Sequence, residues 1–297
     1  MDQAEQLRKL MQQTEPADKK PQARVITVTS GKGGVGKTNL SLNLAVQLVK
    51  QGKKVVVFDA DFGLANIEVM LGVRPRYNLA DLMFRGKELT DILTQSEEGI
   101  NFVSGGSGIQ ELATMNREQV LFLTSKLVEL DQYADVIIVD TGAGIADSVL
   151  EFVVASPEVL LVATPEPTSI TDAYALLKAL NRKPEFSKED TTIKMVSNRV
   201  RSAAEGEQLY EKMKTVCEKF LDIPVQYMGA VPMDDQVPKA VIRQKPISVI
   251  YPDSPAAKGF RQIAEKLLDG EAKETKEVRG ISQLFSNLIR NRMSKNK

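Results

Sequence analysis

The chain has 297 residues, 42% of them apolar, with 39 basic and 39 acidic side chains, one cysteine and no histidine. That apolar share can bury one substantial α/β core, and the absent net charge advertises no specific nucleic-acid partner, so any basic function must be local. Without histidine neither a catalytic triad nor a histidine-ligated metal can be built, and the single Cys217 excludes an internal disulfide framework and a multi-thiolate cluster within one chain. No apolar run succeeds a charged N-terminal region or approaches the roughly 18 residues of a spanning helix, which points to a cytoplasmic location.

Residues 1–22 read as a polar arm. Asp2 can cap a short helix that carries Ala4, Leu7, Leu10 and Met11 on one stripe, with Gln3 and Arg8 beside it. Pro16 and Pro21, among mixed charges, then detach it from the rest of the chain. At about ten residues such a helix is marginal alone and orders only on a partner, although a terminal extension is more often an incidental disordered end.

From there β-branched runs at 25–29, 54–58, 100–103, 136–139, 159–163 and 193–197, and a last short strand at 226–231, alternate with helical patterns at 40–51, 117–130, 169–181, 204–221 and 255–268. Strands apolar on successive residues are buried on both faces. Residues 23–270 are therefore predicted to form a doubly wound α/β domain, a mostly parallel sheet flanked by helices.

Between the first strand and the first helix lies Gly31-Lys32-Gly33-Gly34-Val35-Gly36-Lys37-Thr38, with Asn39 next to it. It fits the phosphate-binding pattern G-x-x-x-x-G-K-[ST] in the strand, loop, helix context that pattern requires. The glycines let backbone N–H groups turn inward, the helix N-terminus adds positive potential, Lys37 can reach the β- and γ-phosphates, and the Thr38 hydroxyl can coordinate Mg²⁺. A polyphosphate with Mg²⁺ is the predicted ligand.

A sheet of this kind gathers its ligands at the carboxyl ends of its strands. Asp59 and Asp61 end the second strand one residue apart, and Asp140 ends Val136-Ile137-Ile138-Val139-Asp140 ahead of the flexible Thr141-Gly142-Ala143-Gly144. Paired acids can equally be a solvated turn or a helix cap, and apolar strands ending in aspartate are common.

Residues 270–279 are nearly all charged or small and read as a mobile linker. Ile281, Leu284, Phe285, Leu288 and Ile289 then fall at i, i+3, i+4, i+7, i+8, while Arg290, Arg292, Lys295 and Lys297 close the chain with no acid after Glu277. Such a stripe either docks on its own domain or lies in an anionic membrane surface. Its terminal place, the linker and the basic polar side favour lipid, so residues 271–297 are assigned to a charged linker and an amphipathic membrane-targeting helix. Five large apolar side chains at about 1.5–3 kcal/mol each, less ordering costs, give reversible attachment, and two tethered helices bind far better than one.

The K-G-G-V-G-K-T loop, the D-x-D after the second strand and the V-I-I-V-D strand, in this order, resemble the MinD and ParA group of ATPases with a deviant phosphate loop. The resemblance implies that the polyphosphate is ATP or ADP, and a P-loop nucleotide hydrolase in which Lys32 crosses a dimer interface to the partner's nucleotide. It also implies that Asp61 positions the hydrolytic water, with Lys37 on the phosphates, and that Asp59 and Asp140 join Thr38 around the metal. Ser197-Asn198-Arg199 and Val231-Pro232-Met233-Asp234 resemble the adenine-reading segments, Met233 departing from the acid many relatives carry. Glu166, within Pro165-Glu166-Pro167, and Asn66 fall at the family's dimer face, and Glu166 is counted with the nucleotide set.

D-Q-A-x-x-L-R in the arm is similar to the activator motif of the FlhG family, also called YlxH or FleN, the MinD-like regulators of flagellar number and placement. That likeness implies an ATP-dependent homodimer, peripheral at the inner face of the cell membrane when ATP-bound, whose Gln3 and Arg8 act on the GTP site of FlhF. Flagellar switch or C-ring proteins are further implied partners. A DNA-partitioning ParA would need a basic surface or an added domain, and an iron–sulfur relative would need more than one cysteine.

Overall fold

The computed structural model describes residues 22–61, 66–106, 117–271, 281 and 284. Asp2, Gln3, Ala4, Leu7 and Arg8 of the arm, and Phe285, Leu288 and Ile289 of the terminal stripe, lie outside the described residues.

Among the described residues eight strands make one sheet: β1 (Arg24–Ser30), β2 (Val55–Ala60), β3 (Leu93–Gln95), β4 (Asn101–Val103), β5 (Val136–Ala143), β6 (Glu158–Ala163), β7 (Thr192–Val200) and β8 (Val225–Pro232). Their spatial order is β3-β4-β2-β5-β1-β6-β7-β8, parallel throughout except for the short edge pair β3 and β4. The chain leaves β1 toward β2 on one side and returns past it to β6 on the other. The carboxyl ends of β1 and β5 are thus where the strand order reverses, the place such folds put a ligand.

Both faces are covered, which is why the central strands carry no polar alternation. Ile26, Val28, Val57, Val136 and Ile138 share one core with α1 (Lys37–Lys50) and a long C-terminal helix over Pro255–Glu271, while Val25, Val56, Phe58, Ile137 and Val139 point into the opposite one. Past β1, residues Val159, Leu161, Ile193 and Met195 bury against helices Asp147–Ala155, Pro167–Asn181 and Ala203–Leu221.

Two residues assigned from sequence to a membrane surface, Ile281 and Leu284, are wholly buried here. They complete the same apolar cluster as Ala23, Leu127, Leu130 and Ala134, apolar side chains removed from water on the domain. One carboxylate oxygen, Asp131 Oδ1, accepts from the backbone N–H of both Ala23 (3.3 Å) and Ile281 (3.4 Å), and burial pushes the Asp131 carboxyl above its ordinary range. No helix among the described residues is long and apolar enough to cross a membrane.

Candidate nucleotide site

β1 delivers the chain to Ser30 at the carboxyl edge of the sheet, and the glycine-rich loop turns it into α1 at Lys37. Two glycines are required for that turn. Gly36, immediately before the helix, has φ of 99°, and a Cβ there would meet Asn198 Nδ2 at 2.5 Å. A Cβ on Gly31 would lie 2.0 Å from the Asp172 carbonyl oxygen of helix Pro167–Asn181, so the loop is seated directly on that helix's backbone.

Lys37 points into the loop, its Nζ donating to Ser30 Oγ at 3.0 Å, and that hydroxyl donates in turn to the Lys32 carbonyl oxygen at 2.7 Å. Burial lowers the Lys37 pKa, opposed by the charges of Asp140 and Asp61. A buried amine at the start of a helix is a site for a multiply charged anion.

The predicted carboxylates converge beside it. Asp59 and Asp140 are direct neighbours across β2 and β5, and Asp61 lies just beyond the end of β2, its N–H donating to Asp59 Oδ1 at 3.0 Å. Asp61 Oδ2 accepts from Asn66 Nδ2 at 3.0 Å. Asp140 accepts from the Thr38 hydroxyl at 2.7 Å and from the Ser41 hydroxyl at 2.8 Å. Burial pushes Asp59 up to about 8, with repulsion from Asp140 adding to it, and pushes Asp140 up to about 6 against the pull of its two hydroxyl donors. Asp59, Asp61 and Asp140 gather at one edge of the sheet, and a divalent cation there would favour the ionised forms of the two carboxyls that burial holds up. Among the described residues no three or more acidic, cysteine or histidine side chains form a protein-only cage. That donor set fits Mg²⁺, which takes one or two carboxylates or hydroxyls, phosphate oxygens and water rather than a full protein shell.

Lys32 does not enter this cradle. It stands on the rim of the loop, its side chain 35% exposed, with Nζ donating to Glu166 Oε2 and Thr168 Oγ1, each at 2.8 Å. That hydrogen bond and charge hold the exposed Glu166 carboxyl below its usual range.

Of the residues predicted for the adenine side, the structure brings Asn198 against the phosphate loop. Asn198 Nδ2 donates to the Val35 carbonyl at 2.7 Å and its Oδ1 accepts from Arg199 N–H at 3.0 Å, so the amide props the phosphate loop. Arg199 is exposed with φ of 57°. Asp234 uses both oxygens on backbone, Gln236 N at 2.9 Å and Ala256 N at 3.1 Å, starting two helices; Pro232 is half-buried and Met233 is 66% exposed.

The profile of the CobQ/CobB/MinD/ParA nucleotide-binding domain matches residues 26–247. The chain belongs to this MinD/ParA family. It is 43% identical over 244 residues to the antiactivator FleN of Pseudomonas aeruginosa, 82% of this chain and 86% of that one, and 35% identical over 287 residues to the flagellum site-determining protein YlxH of Helicobacter pylori, 92% of each. Within the family these relatives put it among the FlhG (YlxH, FleN) proteins. The MinD of Pyrococcus horikoshii, solved with Mg-ADP, superposes with a TM-score of 0.63 at 24% identity over 86% of this chain and 100% of that one, a likeness in fold.

Sequence reasoning passed over Ser30, Ser41 and Thr168. Thr38 and Ser41 share a helix face at i, i+3, a spacing that could have paired the second hydroxyl with the first. Thr168 carries no such signal, because its contact with Lys32 depends on two segments far apart in sequence.

Proposed function

We infer that this is, in general terms, a MinD-like positioning ATPase, a reading the family and its relatives support. We propose, more specifically, that it binds Mg-ATP, dimerises around it, attaches to membrane through residues 281–289 and stimulates FlhF through its arm, thereby setting flagellar number and placement. The observation that carries this reading is Lys32. The loop already has Lys37 in its phosphate cradle, and a second lysine on the rim, paired with Glu166 and Thr168 and not with the cradle, supports a role toward a nucleotide held by a second copy.

In this reading loop backbone amides and Lys37 hold the phosphates, while Thr38, Asp140 and Asp59 hold the metal. Bound Mg²⁺ supplies charge neutralisation on the β- and γ-phosphate oxygens. Asp61, fixed by Asn66, orients the attacking water; no strong base is needed, because phosphoryl transfer depends chiefly on positioning and charge stabilisation. Membrane attachment further requires Ile281 and Leu284 to leave their buried sites, so the docked segment is the unattached state. The D-Q-A-x-x-L-R string and the similarity to FleN and YlxH support the FlhF assignment.

The test is size-exclusion chromatography with a non-hydrolysable ATP analogue. Wild type shifts to a dimer and Lys32→Ala stays monomeric while still binding nucleotide. A Lys32→Ala protein that dimerises like wild type overturns the trans-lysine reading.

A further inference from the structure

The Asp140 carboxylate is wholly buried, and its strand is held on both sides, Val28 of β1 and Asp59 of β2 being its register partners. Its main chain therefore cannot move, and what remains free is rotation of the carboxylate plane. Two hydroxyls remove that freedom, one on each oxygen: Thr38 Oγ1 donates to Oδ2 at 2.7 Å and Ser41 Oγ to Oδ1 at 2.8 Å. Ser41 lies one helical turn after Thr38 on α1 and is itself wholly buried, so no water stands ready to replace its proton.

Ser41 has one proton and two candidate acceptors, Asp140 Oδ1 and the Lys37 carbonyl oxygen at 3.1 Å. The carboxylate is nearer and charged, and charge-assisted bonds are the stronger ones, so the proton goes to Asp140. Thr38 is the hydroxyl that serves a metal. The hold on Asp140 that owes nothing to the metal is therefore Ser41.

We infer that Ser41 is a positioning residue: by fixing Asp140 Oδ1 it aims Oδ2 and Thr38 at the cation, so that Mg²⁺ meets an oriented carboxylate. The inference rests on the Mg-nucleotide reading above. A serine that only bonds back to its own helix has no effect on a cation.

The experiment measures binding of a fluorescent ADP analogue to the full chain, first in EDTA and then across a Mg²⁺ titration, for wild type, Ser41→Ala and Ser41→Thr. Alanine keeps the helix, since it is the best helix former. Outer-sphere partners of metal ligands typically carry ten- to a hundredfold in metal affinity, so Ser41→Ala should raise half-saturating Mg²⁺ by about tenfold or more, leave the EDTA affinity within about twofold, and be largely rescued by Ser41→Thr. An unchanged Mg²⁺ midpoint in Ser41→Ala overturns the inference, as does equal weakening with and without metal. Should threonine pack poorly, Ser41→Cys, near in size but a weak donor, must then behave like alanine; a wild-type midpoint for cysteine also overturns it. Wild type that binds nucleotide with no response to Mg²⁺ would instead sink the Mg-ATPase reading, a distinguishable failure.

Discussion

Asp131→Ala is the most direct way to weaken docking of the C-terminal stripe without altering the stripe. Asp131 Oδ1 holds the N–H of Ile281 at 3.4 Å and of Ala23 at 3.3 Å, both long bonds, so each contributes about 0.5–1 kcal/mol. Alanine removes the one oxygen that both amides share, but only the Ile281 bond is lost from docking. The docked segment therefore loses about 0.5–1 kcal/mol, a factor of roughly 2–5 in its docking equilibrium, while the lost Ala23 bond is offset within the domain by relief of the carboxyl's burial cost. Asp131→Asn retains the accepting oxygen and should change little. The assay is co-sedimentation with anionic liposomes in ADP, where the wild-type segment stays docked. Asp131→Ala should be retained several-fold more strongly than wild type in ADP and equally in a non-hydrolysable ATP analogue. If the two proteins sediment alike in ADP, while both bind in the analogue, docking does not gate attachment and the reasoning fails.

The other expectations concern protons and the arm. Asp59, pushed up to about 8 chiefly by burial, is largely protonated at pH 7 in the metal-free protein, so Mg-nucleotide binding should release close to one proton there and almost none above about pH 9, read by calorimetry in buffers of different ionisation enthalpy. Because that pKa is raised above its unfolded value, the folded state binds the extra proton, and this group makes the metal-free protein lose stability as pH rises from about 4 to about 8, then level off; a melting temperature that climbs across that window would contradict it. A peptide of residues 1–20 should by itself accelerate GTP hydrolysis by FlhF, with Arg8→Ala losing most of the effect; no acceleration by peptide or full-length protein would leave a general MinD-like positioning ATPase.

The sheet was legible because its central strands, such as Val136-Ile137-Ile138-Val139, are buried on both faces and carry an unbroken apolar signal. β3, Leu93-Thr94-Gln95, was not, since two half-buried residues and one exposed residue at a sheet edge have no period to read. The phosphate-loop motif was legible because its signature is local: glycines, a lysine and a hydroxyl in one short stretch between strand and helix. The partners of Asn198 and Asp234 could not be read from sequence, because a side chain's hydrogen-bond partner depends on what the fold brings beside it, here the Val35 carbonyl and the Ala256 N–H. The pairing of Lys32 with Glu166 and Thr168 joins residues more than 130 apart, and no spacing rule reaches that far.

The terminal stripe shows why periodicity cannot choose between two apolar surfaces. Ile281 and Leu284 buried on the domain are worth about 3–6 kcal/mol before the segment's ordering cost, and the same two side chains immersed in lipid are worth about as much before theirs. The same two side chains cannot occupy both places, so docking and attachment compete. A single helix must give up its docked contacts before it gains lipid, which leaves a small net advantage after ordering and incomplete immersion. Pairing two chains raises the effective concentration of the second helix once the first is inserted, without altering the docking of either. In the proposed cycle the nucleotide therefore needs no direct path to the terminal segment: closing the dimer through Lys32 is enough to tip a balance that burial of Ile281 and Leu284 holds near even.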